Sequence, residues 1–367
     1  MKFSFDRDSL LKEIVIAQEI IATKNAISIL SNVLLEAQNG SLIIRATDIK
    51  VHFETRIPVD VQEAGSTTVF CDKFMSILSS LPSGEIEFEQ NDIKINIKPV
   101  TKKAKFQLKS ITSDKFPETT SSEGISFFDV PVKEFKEMIN QTVFSVSDDE
   151  TRYFMNGVFM EKKNEELLLV ATDGRRLAYI SKNFGFSLPD FKGIIIPPKI
   201  LSIINKRATD EGPIAIGVGE KNIFFRFANY EFSSVLIEGQ FPNYNRVIPE
   251  SQSSSFSVDS KDLLEALKRV ALLVEQKSRR IYLNVGPGTL TISSQETEIG
   301  TAREEIPCRY DGEELTIALN YLYVEEPVKV IGTERVTFEF TEAMKAITIK
   351  ADPDKDFFHI VMPMQME

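Results

Sequence analysis

LVATDGRRLAY, residues Leu169–Tyr179, has a counterpart early in the chain: IIRATDIKVHF, residues Ile43–Phe53. Ala46-Thr47-Asp48 and Ala171-Thr172-Asp173 are the same triplet, and each follows a run of apolar residues. Their separation is domain-sized, about 125 residues, so the chain reads as an internal repeat. Extending the comparison outward lengthens the match. Asn32-VLLEAQNGSLIIRATD aligns with Asn156-GVFMEKKNEELLLVATD, and Ile281-YLNVGPGTLTISSQETE takes the same place in the last third with the triplet replaced. All three predict hairpins, two β-rich arms around a polar or Gly-containing turn.

Each third also opens alike. Phe3–Asp6 leads into Ser9–Ile21, Ile125–Val130 into Pro131–Phe144, and Ser255–Val258 into Asp259–Val274. Each is a short alternating strand, a polar or Pro start signal, and then apolar positions at helical spacing. In the last of them Leu263, Leu264, Leu267, Val270, Ala271 and Val274 fall on one face, which predicts an amphipathic helix. A second helix is predicted within VFCDKFMSILSSLP from Val69, IIPPKILSIINKR from Ile195 and IALNYLYVEEPV from Ile317. A strand precedes each, and hairpins follow over Glu85–Lys98, Ile214–Phe227 and Val328–Ile349. Linkers rich in Ser, Thr, Glu or Pro fall at Lys115–Gly124 and Pro249–Ser254, giving predicted domains over 1–120, 125–250 and 254–367. The fold class is α+β, each repeated domain carrying two helices on antiparallel sheets.

Composition bounds what such a repeat does. An apolar fraction of 42% with 26% charged residues is that of a folded chain, so global disorder is excluded. No apolar run reaches the roughly 18 residues needed to span a bilayer, so no membrane association is expected. MKFSFDRDSLLKEI reads as a strand and a helix, with acids where a signal peptide keeps its hydrophobic centre. Cys71 and Cys308 are isolated and lack metal-ligand spacing, which fits a reducing cytoplasm. A net charge of −11 argues against a protein that adheres to nucleic acid over its whole surface.

Catalytic groupings are nearly absent. His52 and His359 both sit in strand-like runs, too few for a metal site or a histidine-based triad, and no phosphate-cradling glycine loop appears. Asp148-Asp149 and Glu304-Glu305 are adjacent carboxylates without a partner, the pattern of solvated surface. A non-enzyme without metal or cofactor is therefore expected. Three other features stand out. FFHIVMPMQME from Phe357 is apolar and Met-rich, which fits either a docked strand or an adaptable binding surface. Lys102, Lys103, Lys105 and Lys109 are placed along one strand with Phe106 and Leu108, while Glu296 and Glu298 are placed on another, with Glu304 and Glu305 soon after. Uncovered edges of opposite charge suit head-to-tail pairing of two copies, and solvated strand faces would look the same. The helix Pro197–Ala208 carries Lys199, Lys206 and Arg207 and no acid, which suits loose contact with phosphate.

Together MKF at the start, Arg152-Tyr153, Ala171-TDGRRL, Gly239-QFPNYNR and Val361-MPM resemble the bacterial DNA polymerase III β subunits, the sliding clamps, over the full length. The resemblance implies a head-to-tail homodimer of three-domain chains closed around duplex DNA, with helices lining the hole and sheets outside. Twelve helices set side by side at about 10 Å place their axes on a circle about 38 Å across, leaving roughly 28 Å inside. A ring holds DNA by topology, so the overall acidity is no obstacle. The resemblance further implies a cleft that takes short peptide motifs of the replicative polymerase, clamp loader and repair proteins. It would use Met155, Thr172, Gly174, Arg175, Arg176, Leu177, Pro242, Arg246, Val247, Asn320, Tyr323, Met344, Ile360, Val361, Met362, Pro363 and Met364. Leu177, Val247 and Met362 would supply apolar walls, with Arg and Asn orienting the peptide. DNA-facing positions would be Lys24, Lys73, Tyr153, Phe154, Lys199, Lys206 and Arg207. The dimer contact would set Lys103, Lys105, Phe106 and Leu108 against Leu272, Leu273, Glu298 and Glu304. Ser278 and the tail after Met364 depart from the family pattern and bear on which motif is preferred. The residue pattern by itself also fits a monomeric three-domain adaptor that never encircles DNA.

Overall fold

The computed structural model describes residues 1–21 and 28–366. Six α-helices are present among them, two in each third: α1 Arg7–Ile20, α2 Cys71–Ser80, α3 Val132–Thr142, α4 Pro198–Arg207, α5 Ser260–Val270 and α6 Tyr321–Ile331. Their starts follow from short polar side chains that satisfy otherwise unpaired backbone N–H groups. Asp6 accepts from Ser9 N at 2.9 Å, Asp259 from Lys261 N and Asp262 N, and Asn320 from Leu322 N. On α5 the buried face is Leu263, Ala266, Leu267 and Val270, close to the predicted stripe.

Strands pair antiparallel in three sheets of five, eight and twelve. Sheet membership does not respect the thirds. In the eight-stranded sheet Tyr230–Val235, from the middle of the chain, pairs with Val51–Pro58 from its beginning. In the twelve-stranded sheet Phe357–Val361 pairs with Arg176–Asn183. The chain accordingly packs as two units, Met1–Val132 with Lys206–Leu236, and Lys133–Asn205 with Ile237–Glu367. The first is packed around Phe53, Phe224, Phe225 and Phe232, and the second around Phe256, Phe338 and Phe357, all fully buried.

Three predicted placements are corrected. Lys102, Lys103 and Lys105 precede the strand Phe106–Lys109, which is only four residues long, so the lysine row is mostly turn. Glu296 and Glu298 lie in the turn between Thr289–Ser294 and Arg303–Arg309, where Thr297 and Gly300 bond each other's backbone. Val328 belongs to α6, which continues to Ile331 and ends at Gly332, in the left-handed conformation at φ +68; the hairpin that follows runs Arg335–Phe340 and Ile347–Asp352. No helix among the described residues is long and apolar enough to cross a membrane.

Candidate functional site

The repeated triplet folds as a repeated turn. Thr172 Oγ1 donates to Arg176 O at 2.6 Å and accepts from Gly174 N at 3.0 Å. Asp173 Oδ1 accepts from Arg175 N at 2.9 Å and Arg176 N at 3.1 Å. In the first repeat Thr47 Oγ1 donates to Val51 O and accepts from Ile49 N, and Asp48 Oδ1 accepts from Lys50 N and Val51 N. A threonine and an aspartate thus each close a loop the backbone would otherwise leave unpaired. The third turn residue has positive φ in both copies: Gly174 at +87 and Ile49 at +82.

Beside the second turn lies a groove open to solvent. Leu177 and Ile360 are opposite residues of the paired strands Arg176–Asn183 and Phe357–Val361, both buried, and form an apolar floor. Met155, at the end of the 3-10 segment Glu150–Met155, and Pro242 and Tyr244 complete the wall. Val247 and Met362, about half exposed, form the rim. The wall is stiffened from behind: Phe241 stacks on Phe159 at 4.8 Å, and Tyr244 donates its hydroxyl to Glu161. Burial, with that hydrogen bond, pushes the Tyr244 hydroxyl well above its ordinary range, so it stays a neutral donor.

Arg176 and Arg175 divide two tasks. The Arg176 guanidinium is engaged on all sides: Nε with Asp173 at 3.1 Å, Nη1 with Glu326 on α6, Nη2 with Phe144 O at 2.6 Å, and its face over the Tyr323 ring at 4.5 Å. It is a strut that ties the turn to α6, not a free hand for a ligand backbone. Arg175 is exposed at the groove mouth, and its carbonyl accepts from Met362 N at 2.9 Å, while Met364 N donates to Ala318 O at 2.8 Å. The Met-rich end is therefore a docked strand through Val361, continued by residues that are held by their backbone and present exposed methionine at Met362 and Met366.

The groove brings together Met155, Thr172, Gly174, Arg175, Arg176, Leu177, Pro242, Val247, Ile360 and Met362 from the predicted set. It does not include the other seven. Arg246 and Met344 are exposed outside it, Asn320 caps α6, Tyr323 carries Arg176, Val361 is buried in the sheet, and Pro363 and Met364 run beyond it. Asn243 and Tyr244 line it unpredicted. Both were visible within GQFPNYNR, where Tyr244 was an apolar wall residue in plain sight.

Of the predicted DNA-facing residues, Lys24 lies outside the described residues. Lys73 is exposed beside Asp72, Tyr153 is exposed and meets Phe154 edge-on at 5.8 Å, and Lys199 is half-buried. Lys206 and Arg207 are both paired with Glu19 of α1, which offsets the charge expected to be free there. Asp149 is held to Arg152 at 2.8 Å; hydrogen bonds from Thr151 and Arg152 bring its carboxyl down to about 2. Of the predicted dimer residues, Phe106 and Leu108 are half-buried on the outermost strand of the five-stranded sheet, with Lys103 and Lys105 exposed just before it. Leu272 is 80% exposed, and Leu273 is half-buried beside it in a 3-10 turn. Glu298 is exposed, as is Ile299, which was not anticipated. Glu304 is gripped by Arg269 of its own chain through two contacts of 2.9 and 2.6 Å, which hold its carboxyl below the usual range. No cluster of three metal-ligating side chains occurs among the described residues.

This fold and groove define a class: a ligand-docking protein built from repeated α+β domains. The family profiles described as the N-terminal, central and C-terminal domains of the DNA polymerase III beta subunit match residues 1–120, 129–243 and 245–365. The chain is 51% identical to the beta sliding clamp of Treponema pallidum (strain Nichols) over 371 residues, all of both chains. It is 30% identical, again over all of both chains, to the crystal structure of a sliding clamp from Pseudomonas aeruginosa bound to griselimycin, with a TM-score of 0.94. A sliding clamp from Bacillus subtilis superposes with a TM-score of 0.94 at 27% identity over the same full span. The chain belongs to the DNA polymerase III beta subunit family. It is a non-catalytic DNA sliding clamp, the processivity factor of its polymerase.

Proposed function

We propose that two copies close head to tail into a ring around duplex DNA, and that the groove floored by Leu177 and Ile360 docks short peptide motifs of the replicative polymerase, clamp loader and repair proteins in turn. The observation that carries the docking reading is the groove itself: a buried aliphatic floor, a rim of flexible Met362 and Val247, and the Arg175 backbone beside it. Apolar anchors seated in such a pocket account for most of the affinity of small interfaces. The same groove is proposed to take griselimycin. Arg246, Asn320, Tyr323, Met344, Val361, Pro363 and Met364 then act around the groove, by capping, propping or extending its edge.

Support for the dimer comes from two edges. Among the described residues, Phe106–Lys109 pairs only with Lys94–Pro99 and ends its sheet. Arg303–Arg309 pairs with its hairpin partner through Arg303–Pro307 and meets Ser254–Asp259 only at Cys308 and Arg309. Pairing these edges between copies would bury Leu272, Leu273 and Ile299 against Phe106 and Leu108, with Lys103 and Lys105 facing Glu298. Lys73, Tyr153, Phe154 and Lys199 are proposed to face DNA, together with Lys24. Lys206 and Arg207 contribute less because Glu19 pairs with both. The domains are proposed to run 1–120, 125–250 and 254–367. The protein is placed in the cytoplasm, consistent with buried free thiols at Cys71 and Cys308.

The test is topological. Loaded onto a nicked circular duplex, the protein should stay bound at raised salt and be lost when the circle is cut. Equal retention on linear DNA with open ends favours the monomeric adaptor instead.

A further inference from the structure

The turn occurs twice, and so does the framework around it. In each repeat the strand after the turn pairs with one from later in the chain, setting Leu177 opposite Ile360 and His52 opposite Ser233. Two residues further on, Met362 N donates to Arg175 O at 2.9 Å and Val235 N to Lys50 O at 2.8 Å. These two rim residues are 42% and 39% exposed. Buried Leu30, on the 3-10 turn Ser28–Ser31, takes the place of buried Met155. Phe116-Pro117 stands where the docking groove has Phe241-Pro242, and both phenylalanines are 8% exposed.

What changes is the floor. Where the docking groove presents two aliphatic side chains, the first repeat presents an imidazole and a hydroxyl. His52 is 8% exposed and its Nδ1 has no hydrogen-bond partner among the described residues. An apolar anchor laid over this floor would offer His52 Nδ1 and the Ser233 hydroxyl no hydrogen bond, would cover what little of the two side chains is still exposed, and would miss the aliphatic contact that attracts it to the other floor. Specificity of this kind comes from what a surface refuses as much as from what it accepts.

We propose that the chain carries the docking scaffold twice and that His52 and Ser233 restrict apolar ligands to the second copy. The proposal rests on the reading of the Leu177 groove as the docking site. It explains why a chain with two equivalent turns would offer partners one groove, so that a ring of two copies offers two.

Calorimetric titration of griselimycin into the full chain tests it, with melting curves as the folding control. Wild type should bind one equivalent per chain and the His52→Leu/Ser233→Ile variant two. Adding Leu177→Ala to the double variant should weaken the original site and leave the affinity of the new one unchanged. If the double variant does not fold, His52→Leu alone decides by the same criterion, a second, weaker equivalent. One equivalent per chain in a folded variant overturns the proposal. No binding by wild type overturns the reading of the Leu177 groove instead.

Discussion

Leu177 and Arg176 are neighbours with opposite fates: one forms the floor that a ligand would touch, the other is consumed in holding that floor in place. Leu177→Ala should weaken peptide binding by about 1 to 3 kcal/mol and leave the oligomer unchanged, as read by titration and sedimentation. Unchanged affinity would remove Leu177 from the site. His359 offers a prediction about pH. It is fully buried behind the groove strand, its Nε2 lies 3.0 Å from Gln141 Oε1, and desolvation pushes its pKa down to about 3. Gln141 in turn donates to Val330 O at 2.7 Å, so its own oxygen accepts and His359 Nε2 carries the hydrogen; burial keeps the ring neutral. Between about pH 6.5 and 3 the unfolded chain binds a proton that the fold refuses. Stability should therefore fall as pH drops through that window, by up to about 1.4 kcal/mol per unit from this residue, and show no contribution from it above. The slope of the denaturant midpoint against pH should flatten in His359→Gln.

At the scale of elements, the two turns show what strain a fold retains. Ile49 is a β-branched residue at φ +82, where its counterpart is glycine. Left-handed backbone costs roughly 1 to 2 kcal/mol in an L-residue, so Ile49→Gly should stabilise the protein by about 1 kcal/mol after the added unfolded-state entropy of glycine is subtracted. A lower melting temperature would contradict this. The turns also mark how far the sequence could be read. Helices were legible because caps and spacing are local: Asp6, Asp259 and Asn320 sit within three residues of the groups they satisfy. Hairpins were legible for the same reason, except where α6 runs on past Val328 and its last helical residues read as the start of a strand. Charge was the poorest guide, because the partners are remote. Lys206 finds Glu19 at a separation of 187 residues and Arg176 finds Glu326 at 150, so residues that looked free are not. Ten of the twelve residues that line the groove came from recognising a motif; Asn243 and Tyr244 stand inside that motif, and their place in the wall came from the fold.

For the whole molecule, the exposed Leu272 carries the assembly prediction. Burying one leucine side chain stabilises by about 1.5 to 3 kcal/mol, and the proposed closed pair of copies would bury it at both seams. Leu272→Asp should therefore shift sedimentation toward the 41.5 kDa single chain, with peptide titration unaltered. A ring that survives the change would place the seam elsewhere.

The strand exchange between thirds has one more implication. Removing residues 245–365 would leave Arg176–Asn183 with a bare side, since its neighbour is Phe357–Val361, and removing the middle would do the same to Val51–Pro58. Dissection at the linkers should then yield fragments that aggregate through naked backbone, so the thirds, though alike as letters, are not separable as parts.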